Sequence, residues 1–171
     1  MKIVKMNVNN WTYNLIYSTN EYGSWPRQYV EKIEWIYEEN EIKITIAKGT
    51  LWHECISPNG NYLVLIFQDT NSCNCVIYNL KGEIIKVVCP PILVNDFSWQ
   101  NHDTQKNIMG EIVGIENPYG KYIYLKDDNL MILKIADPKR MFRGKWTEHR
   151  IFNPETGEIG ELLYTNVSED L

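Results

Sequence analysis

Three observations predict a mostly β fold, with antiparallel sheets arranged as an open, partial β-propeller or as stacked twisted layers. Short β-branched and aromatic runs recur along the chain, the clearest being Tyr62-Leu63-Val64-Leu65-Ile66-Phe67, and such runs fit a pleated surface. A Pro-x-Gly-x-Tyr signature occurs at Pro58 to Tyr62 and again at Pro118 to Tyr122, an offset of 60 residues. A closing hairpin also recurs, Ile77-Tyr78-Asn79-Leu80-Lys81-Gly82-Glu83-Ile84 resembling Ile151-Phe152-Asn153-Pro154-Glu155-Thr156-Gly157-Glu158-Ile159. Repeated hairpin units of this kind are the grammar of blades and stacked sheets. The alternative is a Greek-key β-sandwich in which similar turns recur without a repeat.

Taken in order, Ile3 to Val8 and Trp11 to Tyr17 flank Asn9-Asn10 and read as a hairpin. Gly23 and Pro26 punctuate a loop. Tyr29 to Asn40 is ambiguous, because Tyr29, Val30, Ile33, Ile36 and Tyr37 match helical spacing while Tyr29, Ile33, Trp35 and Tyr37 alternate. Trp35 breaks the first pattern and Glu31 the second. The clean alternation of Glu41 to Ile46 favours a β-hairpin closed at Glu39-Asn40.

Trp52 to Ile85 then reads as strand, turn, strand, polar loop, strand, turn, strand. Ser57-Pro58-Asn59-Gly60 supplies the first turn, since Pro presets φ and Gly accepts positive φ. The strand through Val88 ends at Cys89-Pro90-Pro91, where N–H groups are missing. Ile92 to Phe97 offers another pairing segment, and Ser98 to Asn107 reads as an exposed loop. In the later unit, strands are expected from Lys121 to Leu125 and from Leu130 to Ile135, with Asp137 to Arg150 as an insertion and Gly160 to Thr165 as the last strand. The expected organisation is one domain, 1–171, with blade-like units at about 3–47, 52–97 and 108–165. A chain of 171 residues buries roughly 70% of its unfolded surface and needs no staple.

Composition narrows the function. Apolar residues at 44% and aromatics at 12% exclude a disordered chain. Seventeen basic residues against 22 acidic ones give a net charge of −5, which disfavours a phosphate-tracking surface. Lys139, Arg140, Arg143, Lys145 and Arg150 crowd into one segment, so the remainder is more acidic still and suits a basic partner. That basic segment, interrupted by Asp137 and Glu148, reads as a solvated insertion and not as a nucleic-acid contact. The N-terminus lacks the apolar core of a signal peptide, and no apolar run is long enough to span a bilayer. With four cysteines, the expectation is a cytoplasmic chain with reduced thiols.

Catalytic chemistry finds no motif. Cys73-x-Cys75 with Cys55, Cys89, His53 and His102 lacks the paired spacing of structural zinc, so no metal is expected. Alternation places His53 and Cys55 on one sheet face. There is no Gly-x-Ser-x-Gly elbow and no Gly-rich phosphate loop, so neither an enzyme nor a cofactor is expected. The acidic residues are more informative. Glu31, Glu34, Glu38, Glu39 and Glu41 face only Lys32 in their segment. The candidate partner-binding set is Glu38, Glu39, Asp69, Trp99, His102, Asp103, Tyr119, Asp127 and Asp128, an acidic and aromatic loop face on which carboxylates steer encounter and aromatics anchor.

The run Ser-Pro-Asn-Gly-Asn-Tyr-Leu-Val-Leu, with Tyr-Asn-Leu-Lys-Gly-Glu-Ile after it, is similar to propeller-like blades but lacks the Gly-His and Trp-Asp marks of WD40 repeats. In general character the small, acidic, Asn- and Tyr-rich chain resembles the cytosolic immunity proteins of bacterial contact-dependent growth inhibition systems. The resemblance implies a non-enzymatic inhibitor that binds a cognate toxin domain, a basic protein such as a nuclease, and occludes its active site or its contact with substrate or activating factor. It implies no direct nucleic-acid or membrane contact and leaves the oligomeric state open. The rival reading is a scaffold that holds a partner without inhibiting it.

Overall fold

The structure is a computed structural model that describes residues 2–8, 11–20, 27–69, 72–94, 108–118, 125–138 and 145–168. Twelve strands form three four-stranded antiparallel sheets. The first holds β1 (Lys2–Val8), β2 (Trp11–Asn20), β3 (Arg27–Tyr37) and β4 (Asn40–Thr45). The second holds β5 (Leu51–Ile56), β6 (Tyr62–Phe67), β7 (Cys75–Asn79) and β8 (Ile84–Val88), and the third holds β9 (Glu111–Glu116), β10 (Met131–Ala136), β11 (Lys145–Asn153) and β12 (Glu158–Ser168). In each sheet sequential strands are neighbours, so the described sheets are meanders and not a Greek key, whose fourth strand returns beside the first.

The layers share the middle sheet. On β6, Leu63 and Leu65 pack with Tyr13, Leu15, Ile33, Trp35 and Ile44 of the first sheet. Val64 and Ile66 point the other way, into a cluster with Ile112, Met131, Leu133, Ile135 and Phe152 of the third. All four β6 residues are 0% exposed. A strand buried on both faces cannot alternate apolar with polar, and that is why Tyr62 to Phe67 reads as an unbroken apolar run.

The ambiguous segment is strand throughout. Ile16 pairs with Lys32 but Tyr17 pairs with Val30, so Glu31 sits at a bulge. The extra residue explains why Glu31 broke the alternation. Inward Val30, Ile33 and Trp35 stay on one face across it. The β3–β4 hairpin closes through Glu38 and Glu39, at φ of 47° and 67°, the left-handed geometry of a two-residue type I′ turn. In the middle sheet the Ser57 turn forms as expected. Gly60 N–H donates to the Ser57 carbonyl (2.8 Å), the Ser57 hydroxyl donates to Asn59 Oδ1 (2.7 Å), and Gly60 has φ 73°.

The closing hairpins occupy equivalent places, β7–β8 and β11–β12. Asn79 Oδ1 accepts from the N–H groups of Lys81 and Glu83, and Asn153 Oδ1 accepts from those of Glu155 and Thr156. Gly82 and Gly157 take matching positive φ values of 79° and 73°. Pro118 follows β9 as Pro58 follows β5, but the second strand of the third sheet is β10, Met131–Ala136. Of the expected strand Lys121 to Leu125, residues 121–124 lie outside those described and Leu125 lies in no strand.

Two expectations are corrected. The segment Asp137 to Arg150 is not wholly an insertion, because β11 starts at Lys145 and its Glu148 and His149 are buried at 0% and 4% exposure. Charged letters hid a strand whose polar groups find partners inside the fold. Nor are all four cysteines free thiols: Cys73 and Cys89, flanking the paired strands β7 and β8, form a disulfide. Cys55 and Cys75 are free, and burial pushes both thiols up to about 12.

Candidate functional site

Chain direction sorts the loops into two ends. Each described sheet runs up and down four times, so the β3–β4, β5–β6, β7–β8 and β11–β12 turns and the start of the β9–β10 connection collect at one end. Contacts between layers confirm the alignment. Trp35 Nε1 donates to the Leu80 carbonyl in the β7–β8 turn (2.7 Å), and Asn117 Nδ2 donates to the Ile56 carbonyl (2.8 Å). At the opposite end, Asn74 Nδ2 donates to the Ile112 carbonyl (2.9 Å).

The sequence-derived candidates divide between these ends. Glu38 and Glu39 are exposed at the tip of the β3–β4 hairpin, and Asp127 and Asp128 are exposed before β10, at the same end. Asp127 is partly engaged in its own turn, accepting from Asn129 N–H at Oδ1 (2.9 Å). Glu38 is engaged by the Tyr37 hydroxyl, whose pKa is raised first by that hydrogen bond and then by the neighbouring charge. Asp69 is exposed in the β6–β7 loop, at the other end, with its carbonyl accepting from Ser72. Trp99, His102, Asp103 and Tyr119 lie outside the described residues.

A surface not singled out from sequence lies on the first sheet. Its face away from the middle layer carries the cross-strand row Lys5, Asn14, Glu34 and Lys43. Beside that row Thr12, Ile36 and Glu41 line, with Lys5, Asn14 and Glu34, a depression of about 470 Å³. Trp11 and Trp35 also line it, while their indoles, with ring centroids 5.2 Å apart, pack inward between the first and middle sheets. Lys43 pairs with Glu41 at 3.1 Å, an exposed contact of little energetic weight. Ile36 is 75% exposed. The available signal was phase: Ile36 shares the outward phase of β3 with Lys32 and Glu34.

A second polar constellation lies on the far face of the third sheet. Lys134 Nζ meets Glu116 Oε2 at 3.0 Å, and His149 Nδ1 stands 3.8 Å from Glu116 Oε1. The His149 ring stacks on Tyr164 (4.3 Å), and its Nε2 lies 3.2 Å from Thr147 Oγ1. His53 reaches this group from β5, because Gly114 leaves room: a Cβ there would stand 3.6 Å from His53 Nε2 and 3.3 Å from Lys134 Cδ. Burial and then the Lys134 charge hold the His53 pKa below its ordinary value. Ion pairing and stacking account for these groups. Among the described residues no cluster of three His, Cys, Asp or Glu is arranged to hold a metal.

Between the first two layers, Glu54 sits beside Tyr13 and Tyr17. Burial raises its carboxyl pKa, and burial followed by the Glu54 charge raises both phenols. This arrangement suppresses ionisation and presents no nucleophile. No protein-family model and no curated protein sequence matches the chain. Among solved structures, a chain in the structure of Tne2 in complex with Tni2 is similar, with a TM-score of 0.52, 12% identity, and coverage of 84% of this chain and 81% of that one. At that identity the likeness is one of fold: the three stacked antiparallel sheets have a counterpart of comparable length.

Proposed function

We propose that this chain is an immunity protein: it binds a cognate toxin domain and neutralises it by occlusion, without chemistry of its own. The observation that carries this reading is the fold shared with a chain solved in the complex of Tne2 with Tni2, a chain whose setting is the holding of one protein by another. The resemblance in general character to contact-dependent growth inhibition immunity proteins points the same way. The finer features of the proposal are a basic toxin domain, a nuclease in the first instance, and a cytoplasmic site of action.

Charge supports the basic partner. The net charge is −5, and one end of the stack exposes Glu38, Glu39, Asp127 and Asp128, so long-range attraction favours a positively charged domain. The test is co-purification and growth rescue with the toxin domain encoded beside this gene. Binding with rescue supports the reading. Binding without rescue replaces it with the scaffold, and loss of both overturns it.

A further inference from the structure

From the outer face of the first sheet we infer the docking surface: this face meets the toxin, and its depression receives a Lys or Arg side chain from an extended basic segment of that domain. The inference rests on the immunity reading and deepens it by naming the surface and the chemistry of its occupant.

The two outer faces of the stack differ. On the far face of the third sheet, Ile132, Ala136 and His149 are 0%, 6% and 4% exposed, so that face is already covered. On the first sheet the corresponding face leaves Ile36 75% and Ile3 57% exposed. Lys5, Thr12 and Lys43 are exposed there too. Two large exposed aliphatic side chains flanking a polar row, with Ile16 (8% exposed) beside Ile3 on the same face, have the composition of an interface: apolar anchors among groups that set orientation.

Charge complementarity identifies the occupant. Glu34 and Glu41 line the depression, and Glu38 and Glu39 stand on the turn that joins their two strands. Against these four carboxylates stand three lysines, Lys5, Lys32 and Lys43, and Lys43 is already paired with Glu41. Glu34 is half-buried, so a cation that reaches it leaves part of its water behind and meets a carboxylate in a medium less screening than bulk solvent. A volume of about 470 Å³ admits a long basic side chain with the backbone that carries it. A second copy of this chain fits less well, because apposing two such faces would bring four like carboxylates against four.

The experiment is surface plasmon resonance of the cognate toxin domain against the full chain, across a series of salt concentrations. The variants are Ile36→Asp, the pair Glu34→Lys with Glu41→Lys, and the control pair Asp127→Lys with Asp128→Lys. Thermal melts check that each folds. Ile36→Asp is expected to weaken binding by about 30-fold, the scale of an anchor residue. The Glu34/Glu41 pair is expected to slow association about tenfold and flatten its salt dependence. The control, at the same end of the stack but on the third sheet, is expected to change the rate less. Wild-type binding left unaltered by the Ile36 and Glu34/Glu41 variants overturns this docking surface while the immunity reading stands; no binding by the wild type overturns both. A wild-type dimer dissolved by Ile36→Asp makes the face a self-interface and also overturns the proposal.

Discussion

Truncating Leu65 to alanine tests the shared middle layer. Leu65 is 0% exposed and belongs to the cluster between the first and second sheets, while its neighbours Val64 and Ile66 serve the cluster with the third. A buried leucine cut to alanine loses transfer free energy and leaves a cavity, together about 3 kcal/mol where neighbours cannot collapse. Collapse is restrained here because β6 pairs with β5 on one edge and β7 on the other. For a chain of this size each kcal/mol lowers Tm by about 2–4 °C, so the expected drop is about 6–12 °C. Circular dichroism melts and urea titrations measure it, with Ile84→Ala as the comparison, because Ile84 is 57% exposed on the edge strand β8. A Leu65→Ala loss below about 1 kcal/mol, or equal to that of Ile84→Ala, would refute the enclosure of β6 between two layers.

Glu54→Gln is expected to stabilise the protein at pH 7.5. The folded carboxyl pKa is raised by burial, so the native protonated form is favoured at low pH and that advantage is lost as pH climbs through the folded value. Urea midpoints for wild type and variant should therefore diverge at neutral pH and converge near pH 4; equal midpoints at pH 7.5 would contradict the burial of the Glu54 carboxyl. For His53 the direction is opposite. Its pKa is lowered by burial and then by Lys134, so its neutral form contributes fully above pH 6.5 and the contribution falls as acid protonates it. An NMR titration should place His53 below 6.5, and Lys134→Gln should move the midpoint upward; no movement would remove Lys134 as a cause. The β3–β4 turn gives a trade-off. Glu38 and Glu39 both occupy positive φ, a cost of about 1 kcal/mol per residue that Asn and Gly largely avoid. Glu38→Asn with Glu39→Gly should raise stability by about 1–2 kcal/mol and slow toxin association. A stability gain without a slower on-rate would take the two carboxylates out of encounter steering.

Local chemistry made much of this fold legible. The Ser57 turn and the two Asn-headed hairpins are written in residues whose side chains cap their own backbones, and the β6 run announces a strand buried on both faces. What stayed hidden depends on partners distant in sequence. Glu31 spoils both periodicities because a bulge takes up one residue, and only pairing with β2 reveals it. The strand character of Trp146 to Arg150 is masked by charges that the fold satisfies, such as Arg150 Nε donating to the Gly160 carbonyl (2.9 Å). The Cys73–Cys89 bond follows from β7–β8 register, which spacing alone does not supply. For the site, exposed carboxylates were readable, but their sorting by end was not: Glu38, Glu39, Asp127 and Asp128 share an end that Asp69 does not. Ile36 emerged only once the inward face of β3 was known.

The most direct test of the central claim is a titration of the cognate toxin domain with the purified chain, following the domain's residual activity and the mass of the complex. An occluding immunity protein predicts stoichiometric loss, with a break at one chain per toxin domain, and activity that returns when the complex is dissociated. Loss of activity at a small fraction of that ratio, progressing with time and persisting after separation, would show that the chain modifies its target and would contradict the account.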